Sequence, residues 1–204
     1  MSKVFFSITM SLDGYIAPEW RSDEQWIAQW SELQAYVLAQ RFFRENLGLG
    51  AGGETGVDNE ILAATFERTG ATILGKRMFD AGERMWPDEA PFHTPVFVLT
   101  HQVRSPWVRP GGTVFHFVDD GIESALRQAR EVAGDKDIRI GGGAHTIRAY
   151  LGAGHVDELH IALAPVLLGR GVSLFDGIER ERVGLRIVEA IHSPRVTHLR
   201  YTTR

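Results

Sequence analysis

Alternating runs of apolar and polar residues predict strands separated by helices over residues 4–151. β-Branched and aromatic residues fill the first run, Val4–Met10, which has the length of a strand. Ile122, Leu126 and Ala133 recur at helical spacing and predict an amphipathic helix. Further runs predict strands at 71–74, 96–99, 114–118 and 137–140, and helices at 75–80 and 144–151. This alternation is typical of a mainly parallel sheet with right-handed crossovers.

The C-terminal part of the chain has a different pattern. Apolar runs at 159–166, 185–192 and 196–201 predict three strands with no helix between them. Ser193–Arg195 joins the last two runs through a tight turn. We therefore expect the sheet to end in an antiparallel hairpin.

Residues 19–60 interrupt this order with an aromatic-rich insertion. Ser22 begins a capping-box sequence, which predicts one or two amphipathic helices ending near Asn46. The glycine-rich residues 47–56 lack periodicity and predict a loop. Asp58 follows that loop and is predicted to cap the next helix.

Three tryptophans, Trp20, Trp26 and Trp30, lie in the insertion. Trp26, Trp30 and Leu33 recur at helical spacing, so one hypothesis is that the three tryptophans anchor a helix on the core. The alternative is that they stack against a flat substrate.

Length, charge and cysteine content restrict the class of protein. The 204 residues fit one domain that contains the insertion. A net charge of −4 argues against nucleic-acid binding, and without cysteine the chain has neither disulfides nor thiolate metal sites. The histidines show no metal-ligand spacing, so no metal is expected. With no signal peptide and no long apolar run, we expect a cytoplasmic protein that does not contact membranes.

Two phosphate-binding patterns fail in their context. Gly48–Gly53 satisfies the dinucleotide fingerprint, but it follows a polar helix instead of a strand. Gly70–Arg77 resembles a P-loop, but Arg77 replaces the hydroxyl residue that binds magnesium. No nucleophile elbow of a serine hydrolase occurs either.

The strongest local signal is the turn Gly141–Gly143, where a buried strand ends and a helix begins. Glycines let the backbone approach a ligand closely, and the unpaired N–H groups of a helix N-terminus attract phosphate. A hydroxyl from Thr146 adds a donor. The alternative is a tight turn packed against a neighbouring element, although three consecutive glycines exceed what a turn needs.

Two further strand ends carry groups that suit phosphate. Gly75 opens a helix that bears Lys76 and Arg77, and Thr100 and His101 follow the next strand. The carboxyl ends of parallel strands share one edge of a sheet, where open α/β sheets bind ligands. Three such ends predict a dinucleotide site.

Together, these residues resemble the dihydrofolate reductase-like family, and particularly the reductase domain of bacterial riboflavin biosynthesis. The resemblance covers residues 3–201 apart from the insertion. It implies a three-layer α/β sandwich and a homodimer, with the C-terminal strands as a plausible interface. The motifs that carry it are Ser11–Ala17, Gly75–Arg77, Gly141–Gly143 and Leu163–Gly171, followed by Leu174–Phe175.

The resemblance implies NADPH as cofactor, with the two glycine turns holding its pyrophosphate. It also implies a cis peptide at Gly141–Gly142 or Gly142–Gly143. Asp13 is expected near the substrate, as an orienting or proton-relay group or else as the aspartate of an ordinary Asp–Gly turn. The implied cofactor-binding residues are Thr9, Ile16, Ala17, Gly75, Lys76, Arg77, Thr100, His101, Gly141, Gly142, Gly143, Ala144, His145 and Thr146.

The sequence departs from the family at two points. Met78 replaces the threonine usual in the corresponding turn of folate reductases, and none of Asp23, Glu24 and Glu32 is singled out as their substrate carboxylate. The chain also lacks the cysteines that an accompanying zinc deaminase requires. We therefore expect a stand-alone reductase of the 5-amino-6-(5-phosphoribosylamino)uracil reductase-like class, transferring hydride to a small polar heterocycle. A folate reductase and a non-catalytic nucleotide-binding protein are the alternatives.

Overall fold

The computed structural model describes residues 2–179 and 183–203, which form strands and helices in alternation. The strands are β1 (Val4–Ser11), β2 (Tyr15–Pro18), β3 (Thr69–Gly75), β4 (Pro95–Leu99), β5 (Trp107–Val108), β6 (Val114–Val118), β7 (Asp137–Gly142), β8 (Glu158–Ala164), β9 (Gly171–Ser173), β10 (Leu185–His192) and β11 (Thr197–Thr203). The helices are α1 (Asp23–Leu33), α2 (Ala35–Ala39), α3 (Arg41–Asn46), α4 (Val57–Glu67), α5 (Lys76–Glu83), α6 (Ile122–Ala133) and α7 (Ala144–Gly152).

Nine strands form one sheet in the order β10-β11-β8-β1-β7-β3-β4-β6-β5. The six strands from β8 to β6 in this order are parallel, whereas β11, β10 and β5 run antiparallel to their neighbours. The predicted parallel sheet and C-terminal hairpin are therefore confirmed. The short β5 and the two-stranded ribbon of β2 and β9 were not predicted.

Helices cover both faces of the sheet. Successive residues of a strand point to opposite faces, and β4 shows this directly. Phe97 packs with residues of α6 and α7, whereas Val96 and Val98 pack with Phe79 of α5. Helices α1 and α2 lie on the second face as well, where Leu33 and Tyr36 pack on Ala162 of β8.

The insertion contains three short helices on this second face, where one or two were predicted. The predicted cap is confirmed, because Ser22 Oγ accepts a hydrogen bond from Gln25 N–H at 3.3 Å. The chain leaves helical geometry at Gln40, whose extended backbone forms a bridge with Glu54. A pairing between distant residues thus ends a helix that local periodicity would extend.

None of the three tryptophans of the insertion is fully buried in the core. Trp20 is 68% exposed, and Trp26 and Trp30 are partly buried, with their rings stacked at 6.0 Å. Leu33 and Tyr36 are the buried side chains of this segment. The anchoring hypothesis is therefore wrong for Trp20 and only partly right for the other two.

Asp58 was predicted to cap α4, and this prediction is wrong. The residue that caps α4 is Gly56, and Asp58 lies within the first turn, where it is buried and bonded to His198. No helix in the described ranges combines the length and the apolar character needed to cross a bilayer.

Candidate functional site

The two predicted phosphate turns lie side by side at one edge of the sheet. β3 and β7 are neighbouring parallel strands, and Leu74 pairs with Gly142 where both strands end. A Cβ on Gly75 would collide with the Thr146 hydroxyl and lie 3.7 Å from both Gly142 O and Gly143 N. Only glycine at position 75 lets the two turns approach this closely.

The glycine turn itself has a backbone that other residues rarely adopt. Gly142 has a φ of 124°, and the Gly142–Gly143 peptide is cis, which confirms one of the two positions that the resemblance implied. A Cβ on Gly141 would lie 2.7 Å from Leu74 Cδ2, which is too close for a real contact. Packing and backbone conformation together explain the glycines at 141 and 142.

Two helix N-termini open onto this edge. α5 begins after Gly75 and α7 after Gly143, and neither helix has a side chain capping its first N–H groups. Nothing lies within 4 Å of where a Cβ on Gly143 would be, so the backbone is open to a ligand there. Unpaired N–H groups with the positive end of a helix dipole suit a phosphate group.

The two cations at the start of α5, Lys76 and Arg77, differ in whether they already have an anionic partner. Lys76 forms an ion pair with Asp80 one turn along the helix. Arg77 is exposed and has neither a hydrogen bond nor an ion pair within the described part of the chain. Met78 Sδ lies 3.5 Å from the Cβ position of Gly142, so the residue that departs from the folate reductase pattern covers the turn.

Other predicted cofactor residues surround the same edge. Thr100 follows β4, the strand beside β3, and its Oγ1 accepts a hydrogen bond from Gln102 N–H at 3.0 Å. His101 and His145 are exposed, while Ala144 and Thr146 are buried beneath the start of α7.

Thr9, Ile16 and Ala17 lie at the end of β1 and in the β2–β9 ribbon. Thr9 is buried and donates its hydroxyl hydrogen to Gln34 Oε1 at 2.8 Å. Ile16 packs in the main core, and the Ala17 carbonyl lies so close to Gly171 that no side chain fits there. The assignment of these three residues to the cofactor site stays a prediction.

Asp13 ties two loops together. Its carboxylate accepts hydrogen bonds from Ser11 Oγ at 2.6 Å, from Gly169 N–H at 2.6 Å and from Leu168 N–H at 3.2 Å. The Ser11 bond is the main reason that the pKa of Asp13 is lowered. An ionised carboxylate is a poor proton donor at neutral pH, so these contacts favour the turn role over the proton-relay role.

A buried chain of hydrogen bonds on the second face was missed from the sequence. Ser7 Oγ lies 2.8 Å from His160 Nδ1, His160 Nε2 lies 2.9 Å from His198 Nδ1, and His198 Nε2 lies 2.6 Å from Asp58 Oδ1. The four residues come from β1, β8, β11 and α4, so no local spacing relates them. The available signal was Ser7, a polar residue between the apolar Phe6 and Ile8 of a predicted strand.

With both imidazole rings neutral, the three hydrogen bonds from Ser7 to Asp58 all donate in the same direction. Burial is the main reason that the pKa of His160 falls to about 3, which keeps this ring neutral at pH 7. Ser7 then donates to His160, His160 donates to His198, and His198 donates to Asp58. Each hydrogen has an acceptor, and the Ser7 oxygen keeps its own acceptor capacity.

Comparison with known proteins agrees with this architecture. The sequence profile of the RibD C-terminal domain family matches residues 2–199. The uncharacterized protein YyaP of Bacillus subtilis (strain 168), a curated relative, is 35% identical over 72 residues, which are 35% of this chain and 37% of YyaP. The match thus spans just over a third of that relative's length.

Three solved structures share the fold. A putative riboflavin biosynthesis protein from Shewanella sp. PV-4 has a TM-score of 0.69 and 22% identity, over 100% of this chain and 99% of that one. A diaminohydroxyphosphoribosylaminopyrimidine deaminase/5-amino-6-(5-phosphoribosylamino)uracil reductase from Thermotoga maritima has a TM-score of 0.59 and 16% identity, over 100% and 57%. Dihydrofolate reductase from Enterococcus faecalis, complexed with NADP(H), has a TM-score of 0.56 and 14% identity, over 98% and 96%.

The family profile spans nearly the whole chain, and the shared fold extends from the first strand to the C-terminal hairpin. The chain therefore belongs to the RibD C-terminal domain family and has the fold of the dihydrofolate reductase-like proteins.

Proposed function

We propose that this protein is an NADPH-dependent reductase of the riboflavin-pathway type. The observation that carries the proposal is the pair of uncapped helix N-termini, after Gly75 and Gly143, at the ends of two adjacent parallel strands. Two phosphate sites in contact with each other suit a pyrophosphate. The reductase relatives, one of them complexed with NADP(H), support a nicotinamide dinucleotide in particular.

The residues present fit this cofactor. Gly143 leaves the backbone open to the pyrophosphate, Gly75 lets the two uncapped helix N-termini lie close together, and Thr146 adds a hydroxyl. Arg77, which has no partner in the described chain, would bind the adenosine 2′-phosphate, with Thr100 and His101 beside it. NADPH supplies the hydride in such a reaction, and the protein supplies orientation and protons.

The Ser7–His160–His198–Asp58 chain is suited to store and move a proton. When the Asp58 carboxyl carries the proton, a shift of four hydrogens delivers it: Asp58 gives one to His198, His198 gives one to His160, His160 gives one to Ser7, and Ser7 Oγ gives one to the substrate. This shift leaves Asp58 ionised and the Ser7 hydroxyl intact. Both rings are neutral before and after the shift, so no charge is left on a buried imidazole. We propose that this chain supplies the proton that accompanies hydride transfer.

The proposed substrate is a small polar heterocycle with a reducible carbonyl or imine, like the ribosylamino-pyrimidines. A folate reductase is less well supported, because Asp23, Glu24 and Glu32 are all exposed. Stopped-flow absorbance with panels of pyrimidines, pterins and quinones tests the proposal through oxidation of NADPH. If NADPH binds and no compound oxidises it, a non-catalytic nucleotide-binding protein is favoured.

Replacing Arg77 with glutamine is expected to weaken NADPH binding about 10- to 100-fold, because a charge-assisted bond to the 2′-phosphate is lost. Affinity for NADH, which lacks that phosphate, is expected to change less than about twofold. Tryptophan fluorescence titration measures both.

Arg84→Gln is the matched control, since Arg84 is exposed at the other end of α5. It is expected to leave both affinities unchanged. An equal loss of NADPH and NADH affinity in Arg77→Gln would contradict a 2′-phosphate contact.

We also propose that the protein forms a homodimer through the outer edge of β10. This strand ends the sheet and exposes Leu185, Ile187 and Val188 at 41%, 61% and 56%. An exposed apolar edge strand is prone to pair with another chain, and a second copy offers the same edge.

Sedimentation velocity at micromolar concentration is expected to show a dimer for the wild type and a monomer for Ile187→Asp. Val132→Asp is the control, because Val132 is 49% exposed on α6, away from this edge. A wild-type monomer, or a dimer that persists in Ile187→Asp, would exclude this interface.

A further inference from the structure

Arg139 is a charged residue without a polar partner in the middle of β7. Within the described residues its guanidinium makes no hydrogen bond and no ion pair, and its Nε atom is buried. Its Cζ atom lies 4.9 Å from the centroid of the Phe66 ring in α4, which is a cation–π contact. The residue as a whole is partly exposed to solvent.

No carboxylate among the described residues forms an ion pair with this charge. Burial lowers the pKa of Arg139 to about 10, which still leaves the guanidinium charged at pH 7. Burial also raises the pKa of the neighbouring Tyr36 to about 12, so the phenol is neutral. A guanidinium has five N–H donors, and leaving them unpaired in a partly dry environment destabilises the folded state.

Arg68 is a nearby arginine whose charge is paired, and it serves as a comparison for Arg139. Its guanidinium also lies over a ring, 4.1 Å from the centroid of Phe5, but it binds Asp137 at 2.7 Å and Glu158 at 2.8 Å. Phe5 and Arg139 are register partners on β1 and β7. The two arginines therefore lie close together, one fully paired and the other lacking an anion.

We infer that Arg139 binds an anionic group, a carboxylate or a phosphate, of the molecule that this protein acts on. Arg139 lies two residues before Gly141, about 7 Å along the strand from the glycine turn. A small substrate bound on this face would reach from that turn to the guanidinium. Ser7, on the neighbouring strand and partly exposed, lies next to such a molecule with the oxygen that ends the hydrogen-bond chain.

The group bound is not a cofactor phosphate. The phosphate sites lie beyond the strand ends, at the starts of α5 and α7. Arg139 lies back from that edge on the sheet face, below Phe66. The inference rests on the proposed function only for the statement that the anion belongs to a substrate.

Isothermal titration with matched probes tests the inference on the protein without NADPH. The pairs are ribose 5-phosphate with ribose, and 4-aminobenzoate with 4-aminobenzamide. The anionic member of at least one pair is expected to bind about tenfold more tightly or better. Arg139→Met, which keeps the alkyl chain over Phe66, is expected to remove the difference, whereas Arg84→Gln is expected to keep it. Equal affinities within both pairs, or a preference that survives in Arg139→Met, would overturn the inference.

Thermal unfolding without ligand provides an independent readout. Arg139→Met is expected to raise Tm by about 2–4 °C, because an unpaired charge is removed. Arg68→Met is expected to lower Tm, because Asp137 and Glu158 lose their ion pairs with Arg68. If Arg139→Met lowers Tm as well, Arg139 is structural and the inference fails. NADPH affinity is measured separately for the same variants. If NADPH does not bind, the cofactor proposal fails, while the anion preference and Tm still test the role of Arg139.

Discussion

Replacing Asp58 with alanine is expected to lower the free energy of unfolding by about 3 kcal/mol. The carboxylate and His198 are both buried and bonded at 2.6 Å, so alanine leaves a buried imidazole N–H without an acceptor. Folded domains have only about 5–15 kcal/mol of stability, so this loss is a large fraction of the total. Urea denaturation followed by tryptophan fluorescence measures it.

Two further variants define the origin of the loss. Asp58→Asn keeps an acceptor oxygen and is expected to lose less stability than alanine. Asp176→Ala removes an exposed carboxylate 3.9 Å from Arg148 and is expected to change stability by less than about 0.5 kcal/mol. A loss in Asp58→Ala no larger than in Asp176→Ala would mean that the buried chain contributes nothing to stability.

Replacing Gly75 with valine is expected to weaken NADPH binding about 100-fold. The first carbon of the side chain would collide with the Thr146 hydroxyl, and its methyl groups would reach the Gly142 carbonyl and the Gly143 N–H. Overpacking of this kind costs about 1–3 kcal/mol, and it is relieved by moving the two turns apart. The N–H groups that we propose bind phosphate would then lose their common geometry, which fluorescence titration with NADPH detects.

Gly152→Val is the matched control, because a Cβ at the far end of α7 meets nothing within 4 Å. Circular dichroism shows whether each variant is folded. A folded Gly75→Val protein that binds NADPH within about threefold of the wild type would show that the contact between the turns is not needed.

The parts of the fold that were predictable depend on local signals. The parallel strands are short continuous runs of apolar residues, which are typical of buried strands. Three consecutive glycines at 141–143 indicate the turn that follows one of them. The helix break at Gln40 was not predictable, because it depends on a bridge to Glu54 formed in the folded state. The β2–β9 ribbon is too short to produce a pattern.

The candidate site divides in the same way. The grouping of the three strand ends at one edge of the sheet could be predicted, since each strand end is followed directly by its glycines, hydroxyls or cations. The buried chain could not, because Ser7, Asp58, His160 and His198 are separated by up to 191 positions in the numbering of the sequence. Asp58 also fits the composition of a helix start, so local rules assigned it to a cap.

The bonds of Asp13 have a mechanical consequence. Ser11 Oγ accepts from Tyr15 N–H at 2.9 Å while it donates to Asp13, and Asp13 accepts from Leu168 and Gly169. The loop after β1 and the loop after β8 are therefore joined by hydrogen bonds to the carboxylate of Asp13. Local opening proceeds in cooperative units, so we expect these two loops to exchange their amide hydrogens at one common rate.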